Sequence, residues 1–338
     1  MSESLSYDDI TLVPKKGVVE KRSQCSTECN FLGKTFKMPV MPANMKASMS
    51  MEKATWCSQN DIFYALHRFY PYHEINEWVR THQHLETVSI SIGVQEKDVL
   101  LIEDLAEAGY KIDFITVDIA HGHSAPMERA MDIYNQIYSN YEPPFRPNFI
   151  CGNATTSQGV NELVKWGANA VKVGIGQGHV CTTRLQTGFG VPMVTALQEC
   201  CDWVDKATDP RDLMLLDVPD VPIIADGGIS HFGDVAKALR MGATMVMAGS
   251  MFARCIDSPA ETIGDGFRYG IKKRWFGSAS EFNKGNTDHI EGIECIEHTN
   301  GMTYKELICN WKQALQSSIS YAGGTDLNAF KNVQYIVV

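Results

Sequence analysis

The run GIGQGHVCTTR at 174–184 places Cys181 just after three glycines at alternate positions, with Thr183 two residues further on. Such glycines allow a bent, exposed backbone whose carbonyls can converge on a monovalent cation. A thiol beside backbone amides and a bound cation ionises more readily, and the thiolate is the nucleophile. Thr183 stands where a hydroxyl could relay or donate a proton. A cysteine taken alone is more often inert packing. Its place in a glycine loop directly after an apolar run argues for chemistry.

A second group suits an anion. Asp226-Gly227-Gly228 follows the apolar run at 221–225, and Gly249-Ser250 follows the next one. Glycines let backbone N–H groups approach phosphate oxygens. Asp226 would repel a phosphate, so a ribose hydroxyl donating to its carboxylate is the better partner. A nucleotide or flavin monophosphate is the natural ligand. His121 and His123 flank a glycine after Asp118, but no third ligand stands at a recognisable metal spacing. Further on, Glu281, Glu291 and Glu294 offer carboxylates for general acid or base work, with nothing in the sequence to choose among them.

Eight short β-rich runs carry these residues at their C-terminal ends: 39–45, 62–68, 87–94, 113–120, 148–154, 170–176, 221–228 and 245–253. Helical patterns at 97–108, 126–138, 158–166, 191–205 and 233–241 lie between them. Three of those stop at Gly109, Gly167 and Gly242, just before the next run, as a left-handed C-terminal glycine would. Repeated β-then-α units with polar strand ends predict an α/β fold, a single-domain (β/α)8 TIM barrel spanning 1–338, over an open doubly wound sheet. Residues 1–38 form an N-terminal segment. Residues 254–302 are too long for an ordinary loop and predict an irregular active-site lid, and 303–338 hold a C-terminal helix and tail.

The 338 residues carry a net charge of −10 and 44% hydrophobic residues, which excludes disorder and argues against nucleic acid as a partner. The basic clusters at Lys15, Lys16, Lys21, Arg22 and at 272–274 are short. No apolar run is long enough for a membrane span, and the opening residues show no leader-like core. Ten cysteines without a CxxC pair predict free thiols in a cytoplasmic protein.

Together, GIGQGHVCTTR, IIADGGIS (223–230), VMAGS (246–250), FGSASEF (276–282), EGIE (291–294) and SSISYAGG (317–324) closely resemble GMP reductases of the IMP dehydrogenase/GMP reductase family, in order along the whole chain. The glycine loop is shared across that family. DIAHGHS (118–124), FGSASEF and SSISYAGG favour the reductase branch, as does the lack of a ~120-residue regulatory insert. The resemblance implies that GMP, NADPH and a proton give IMP, ammonia and NADP+ through a covalent thioimidate on Cys181. Thr183 and Glu291 would handle protons. Asp226, Gly227, Gly228, Gly249 and Ser250 would hold ribose and phosphate, with Gly277, Ser278 and Gly292 around the purine. NADPH would meet Asp118, Ile119, Ala120 and the tail Tyr321, Ala322, Gly323 and Gly324. Carbonyls of Gly176, Gly178 and Cys181 match a potassium site, and the family implies a homotetramer.

Three features depart from the family pattern. Gln177 replaces a common proline, Asp288 replaces a residue that is often basic, and the stretch 208–220 is long. The alternatives are an IMP dehydrogenase, a purine-nucleotide sensor without turnover and a flavin-dependent barrel enzyme. The dehydrogenase needs a lid Arg-Tyr pair to activate water, and Arg268-Tyr269 stands upstream of the expected place.

Overall fold

The computed structural model describes residues 4–206, 221–264 and 270–338. The stretch 208–220 and the pair Arg268-Tyr269 lie outside the described residues. In chain order the strands are β1 (Ile10–Leu12), β2 (Cys29–Phe31), β3 (Lys34–Phe36), β4 (Val40–Pro42), β5 (Ser89–Ile92), β6 (Phe114–Asp118) and β7 (Asn148–Ala154). They continue with β8 (Ala170–Val173), β9 (Ile223–Asp226), β10 (Met245–Ala248), β11 (Glu261–Ile263), β12 (Lys272–Phe276), β13 (Glu294–His298) and β14 (Tyr335–Val337).

Seven of them form one parallel sheet in the order β4-β10-β9-β8-β7-β6-β5. Every residue of β5, β8 and β10 is buried, so SISI, AVKV and MVMA have a helix-covered face and an inner face and need no alternation. The inner face curls around a cluster that includes Met41, Phe63, Phe114, Ile150, Ala170, Ile224 and Met245. Gly109, Gly167 and Gly242 are left-handed, with φ of +66°, +103° and +99°, and end their helices where expected.

The run 62–68 is the exception among the expected strands. It makes only a single parallel bridge, Leu66 to Ile90. Its side chains do alternate, with Phe63 and Ala65 in the inner cluster and Ile62, Tyr64 and Leu66 in the outer core. The ladder is short because the Ile62 N–H turns back to the Cys57 carbonyl and the Asp61 carbonyl accepts from Lys37.

The N-terminal segment holds more structure than its sequence signals suggested. β2 and β3 pair across the turn Leu32-Gly33, a two-residue hairpin loop with positive φ at both positions. Its rings close the inner cluster from below: Phe31 and Phe36 lie 4.9 and 5.1 Å from Phe63, and Phe63 meets Phe114 edge-on at 5.1 Å. β1 pairs antiparallel with β14 and ties the two ends of the chain together.

Expected to be irregular, the segment after β10 contains an antiparallel sheet, β11-β12-β13. KKRWF buries Lys273 and Trp275 on alternate positions, and this two-residue period is the signal that the aromatic, mixed-charge composition masked. The final helix, Tyr304–Tyr321, is capped by Thr303 and Glu306 and packs Trp311 against Phe232 and Phe252. Such a cap contributes about 1 kcal/mol. Among the described residues no helix is long and apolar enough to cross a membrane.

Candidate active site

The glycine loop leaves β8 and folds over the end of β9. A side chain on Gly174 would place its Cβ 2.1 Å from the Asp226 carbonyl oxygen, so only glycine permits this contact. The Gly228 N–H donates to the Gln177 carbonyl at 3.0 Å, joining the loop to the Asp226-Gly227-Gly228 turn. Met247 on β10 is in register with Asp226, so Gly249-Ser250 comes out beside that turn. The two glycine turns foreseen as an anion cradle are therefore neighbours.

The segment joining β12 to β13 docks on the same loop. Cys181 bridges Gly292, the Thr182 N–H donates to the Glu291 carbonyl at 2.8 Å, and the Ile293 N–H donates to the Val180 carbonyl at 2.9 Å. Gly277 donates to the Ile293 carbonyl, and its Cα would lie 3.3 Å from a Cβ on Gly292. Gly277, Glu291 and Gly292 are thus gathered against the Cys181 segment, with Ser278 next to Gly277 in the chain. The Cys181 Sγ donates to Thr183 Oγ1 at 3.3 Å, and Thr183 Oγ1 donates to Glu291 Oε2 at 2.7 Å. These two hydrogen bonds connect the thiol to a carboxylate through one hydroxyl, and of Glu281, Glu291 and Glu294 the carboxylate so connected is that of Glu291.

Five other thiols are differently placed, buried in the core. Burial pushes Cys29, Cys200 and Cys255 up to about 12 and Cys57 and Cys151 higher still. They pack as small hydrophobes, whereas Cys181 is half-buried.

Beside the loop, a cavity of about 740 Å³ is bordered by Asn44, Arg68, Asp118, Ile119, Ala120, Asn153, Lys172, Asp226 and Ser278. Asp118, Ile119 and Ala120 therefore share a space with Asp226 and Ser278. Across its floor, Lys172 Nζ lies 2.5 Å from Asp118 Oδ1 and 3.1 Å from Asp226 Oδ2, and Asn153 Nδ2 donates to Asp226 Oδ2 at 2.9 Å. Burial opposes the charge on Asp118, but Lys172 beside it and Arg68 further off outweigh burial and hold the carboxyl below the usual range. Burial likewise opposes the Lys172 charge, and the two carboxylates outweigh it. Lys172 went unnoticed in the sequence, where Arg68 and Asn153 stand only among the polar residues at strand ends. A lysine within the otherwise apolar AVKV was the available signal, because a buried charge demands partners.

The tail is elsewhere. Tyr321 and Ala322 border a separate cavity of about 300 Å³ with Thr11 and Lys237. Arg22 lies over the Tyr321 ring at 5.3 Å, and Gly323 packs on Lys15 and Lys16. Tyr321 and Ala322 thus border a different cavity from Asp118. His123 Nε2 pairs with Glu162 at 2.6 Å. Asp288 is exposed, and among the described residues the buried Nε2 of Gln177 has no hydrogen-bond partner.

A sequence profile described as the IMP dehydrogenase / GMP reductase domain matches residues 4–338. The chain belongs to the IMP dehydrogenase/GMP reductase family. It is 43% identical over 336 residues to a GMP reductase of Staphylococcus epidermidis, covering 98% of this chain and 95% of the relative. A GMP reductase of Staphylococcus carnosus is 42% identical over 335 residues, covering 98% and 95%. One of Lysinibacillus sphaericus is 42% identical over 342 residues, covering 100% and 97%. Such coverage places every element described above, the small antiparallel sheet and the tail included, within the family's span.

Proposed function

We propose that this protein is a GMP reductase, converting GMP, NADPH and a proton to IMP, ammonia and NADP+. The observation that carries the reading is the hydrogen-bonded chain Cys181–Thr183–Glu291. Glu291 takes the Cys181 proton through Thr183, and the thiolate attacks purine C2. The same two residues return a proton to the exocyclic amine, which leaves as ammonia while the C2–S bond persists. Purine C2 is a poor electrophile with a poor amine leaving group, so protonation must accompany attack, and covalent capture divides one hard step into two. NADPH, when bound, supplies the hydride that replaces sulfur at C2 and frees IMP and the thiolate.

Several features of the chain suit these ligands. Gly227, Gly228, Gly249 and Ser250 fit the nucleotide phosphate, because these adjacent glycine turns let backbone N–H groups approach its oxygens, the Gly228 N–H excepted, since the Gln177 carbonyl holds it. Asp226 fits the ribose hydroxyls, and Gly277, Ser278 and Gly292 fit the purine above Cys181. Asp118, Ile119 and Ala120 border a cavity roomy enough for a nicotinamide and its ribose. The carbonyls of Gly176, Gly178 and Cys181 fit potassium by type, since a hard cation takes oxygen ligands. We read the chain as a cytoplasmic, single-domain eight-stave barrel, with 62–68 as the eighth stave and the 254–302 segment as lid. Tyr321 and Ala322 border a different cavity from Asp118 within one chain, which favours a homotetramer in which a neighbouring copy supplies the tail Tyr321–Gly324.

The test is absorbance at 340 nm in potassium buffer. NADPH consumption with GMP and stoichiometric release of IMP and ammonia is expected. NAD+ reduction with IMP instead would make the enzyme a dehydrogenase. Silence in both assays, with GMP still raising the melting temperature, would leave a binding protein.

A further inference from the structure

Gly152 of β7 lies between Asp118 of β6 and Lys172 of β8 in the sheet register. A Cβ there would sit 2.6 Å from Lys172 Cβ. The missing side chain opens a channel through which the Lys172 stem crosses an intervening strand, and its ammonium emerges between two carboxylates. The side chain of Lys172 is 2% exposed, so these partners replace water almost completely. Asn153 fixes the second carboxylate, because its amide donates both to Asp226 Oδ2 and to the Gly174 carbonyl at 2.6 Å. One buried cation is thereby shared between the part of the cavity read as cofactor site and the part read as nucleotide site.

We propose that Lys172 is a positioning residue that couples the two ligands: it holds Asp118 and Asp226 in their working geometry and transmits occupancy of one to the other. The inference rests on the proposed function, which supplies the roles of the two aspartates. A ribose hydroxyl donating to Asp226 competes with the ammonium for that carboxylate and shifts the ammonium toward Asp118. The carboxylate offered to the cofactor then depends on whether the nucleotide is present, and the reverse follows by linkage.

The experiment titrates the full-length protein with NADPH, with and without IMP, a pairing that binds without turnover. In wild type, IMP is expected to change NADPH affinity by about 3-fold or more. Lys172→Met should weaken each ligand by about 10-fold and abolish the mutual effect, with Lys172→Arg restoring part of both. If Lys172→Met does not fold, the pair Lys172→Met/Asp118→Asn keeps the local net charge of the site and should fold without coupling. Coupling that survives either variant, or affinities unchanged in Lys172→Met, would overturn the proposal while leaving the functional reading intact. A wild-type protein that binds neither ligand would remove the functional reading and this inference with it.

Discussion

Replacing Thr183 by valine tests the proton path most directly, because valine keeps the branched shape and deletes only the hydroxyl. That hydroxyl is the one atom linking Cys181 Sγ, at 3.3 Å, to Glu291 Oε2, at 2.7 Å. Without it the thiol and the carboxylate are separated by a methyl group, and both the forward transfer and the return to the leaving amine lose their route. General acid–base contributions of this kind are worth about 10²- to 10⁴-fold, so kcat should fall by roughly 10³. The fold should scarcely notice. Thr183 is the first residue of the short helix Thr183–Thr187 and is half-buried, and its backbone carbonyl, which accepts from Thr187 Oγ1, is unchanged. GMP affinity should hold within about 3-fold, since the hydroxyl is not assigned to ground-state binding. The assay is single-turnover NADPH oxidation under saturating GMP, paired with a separate titration of GMP binding. A Thr183→Val enzyme within a few-fold of wild type, alongside a severely impaired Glu291→Gln enzyme, would show that the proton does not pass through Thr183.

Other consequences follow from the same structure. Cys181→Ala should fold, bind GMP and lose turnover, and a rate near wild type would end the covalent mechanism. Glu291→Gln should lower kcat by about 10²-fold or more with modest change in GMP binding, checked by steady-state kinetics. His67 is held down to about 4 by burial, with Lys46 adding to the effect, so it is neutral in the fold and takes a proton more readily when unfolded. Its contribution is complete above about pH 6.5 and is lost as pH falls toward 4, at most about 3 kcal/mol. Denaturant melts from pH 7 to 4 should show a slope in wild type that His67→Gln reduces, and equal slopes would refute the assignment. Phe63→Ala opens a void among Phe31, Phe36 and Phe114 and should cost about 3–5 kcal/mol by urea unfolding. A loss under about 1 kcal/mol would mean that the hairpin collapses to fill it.

The glycine loop around Cys181, the two glycine turns and the helix-ending glycines were all legible in the chain, because each is a local requirement. A bent backbone, a close approach to an anion and a left-handed C-terminus leave their residue types at fixed short spacing. Continuous apolar runs announced parallel strands for the same reason. Pairings at long range left no such mark. Thr183 and Glu291 are 108 residues apart and meet only because Cys181 bridges Gly292. No spacing distinguishes Glu291 from Glu281 or Glu294 until that bridge forms. Lys172 carried no mark of its role until the sheet register set Gly152 beside it and opened the way to Asp118. The hairpin of β2 and β3 was short and half-polar along the chain, and it became a plug only when the inner cluster offered Phe63 and Phe114 to its rings. The tail presents the family's residues, yet the tertiary structure carries them to the N-terminal segment, away from Asp118. Residue type sets what chemistry is available through local sterics and periodicity, and the curl of the sheet decides which of those residues meet at one site.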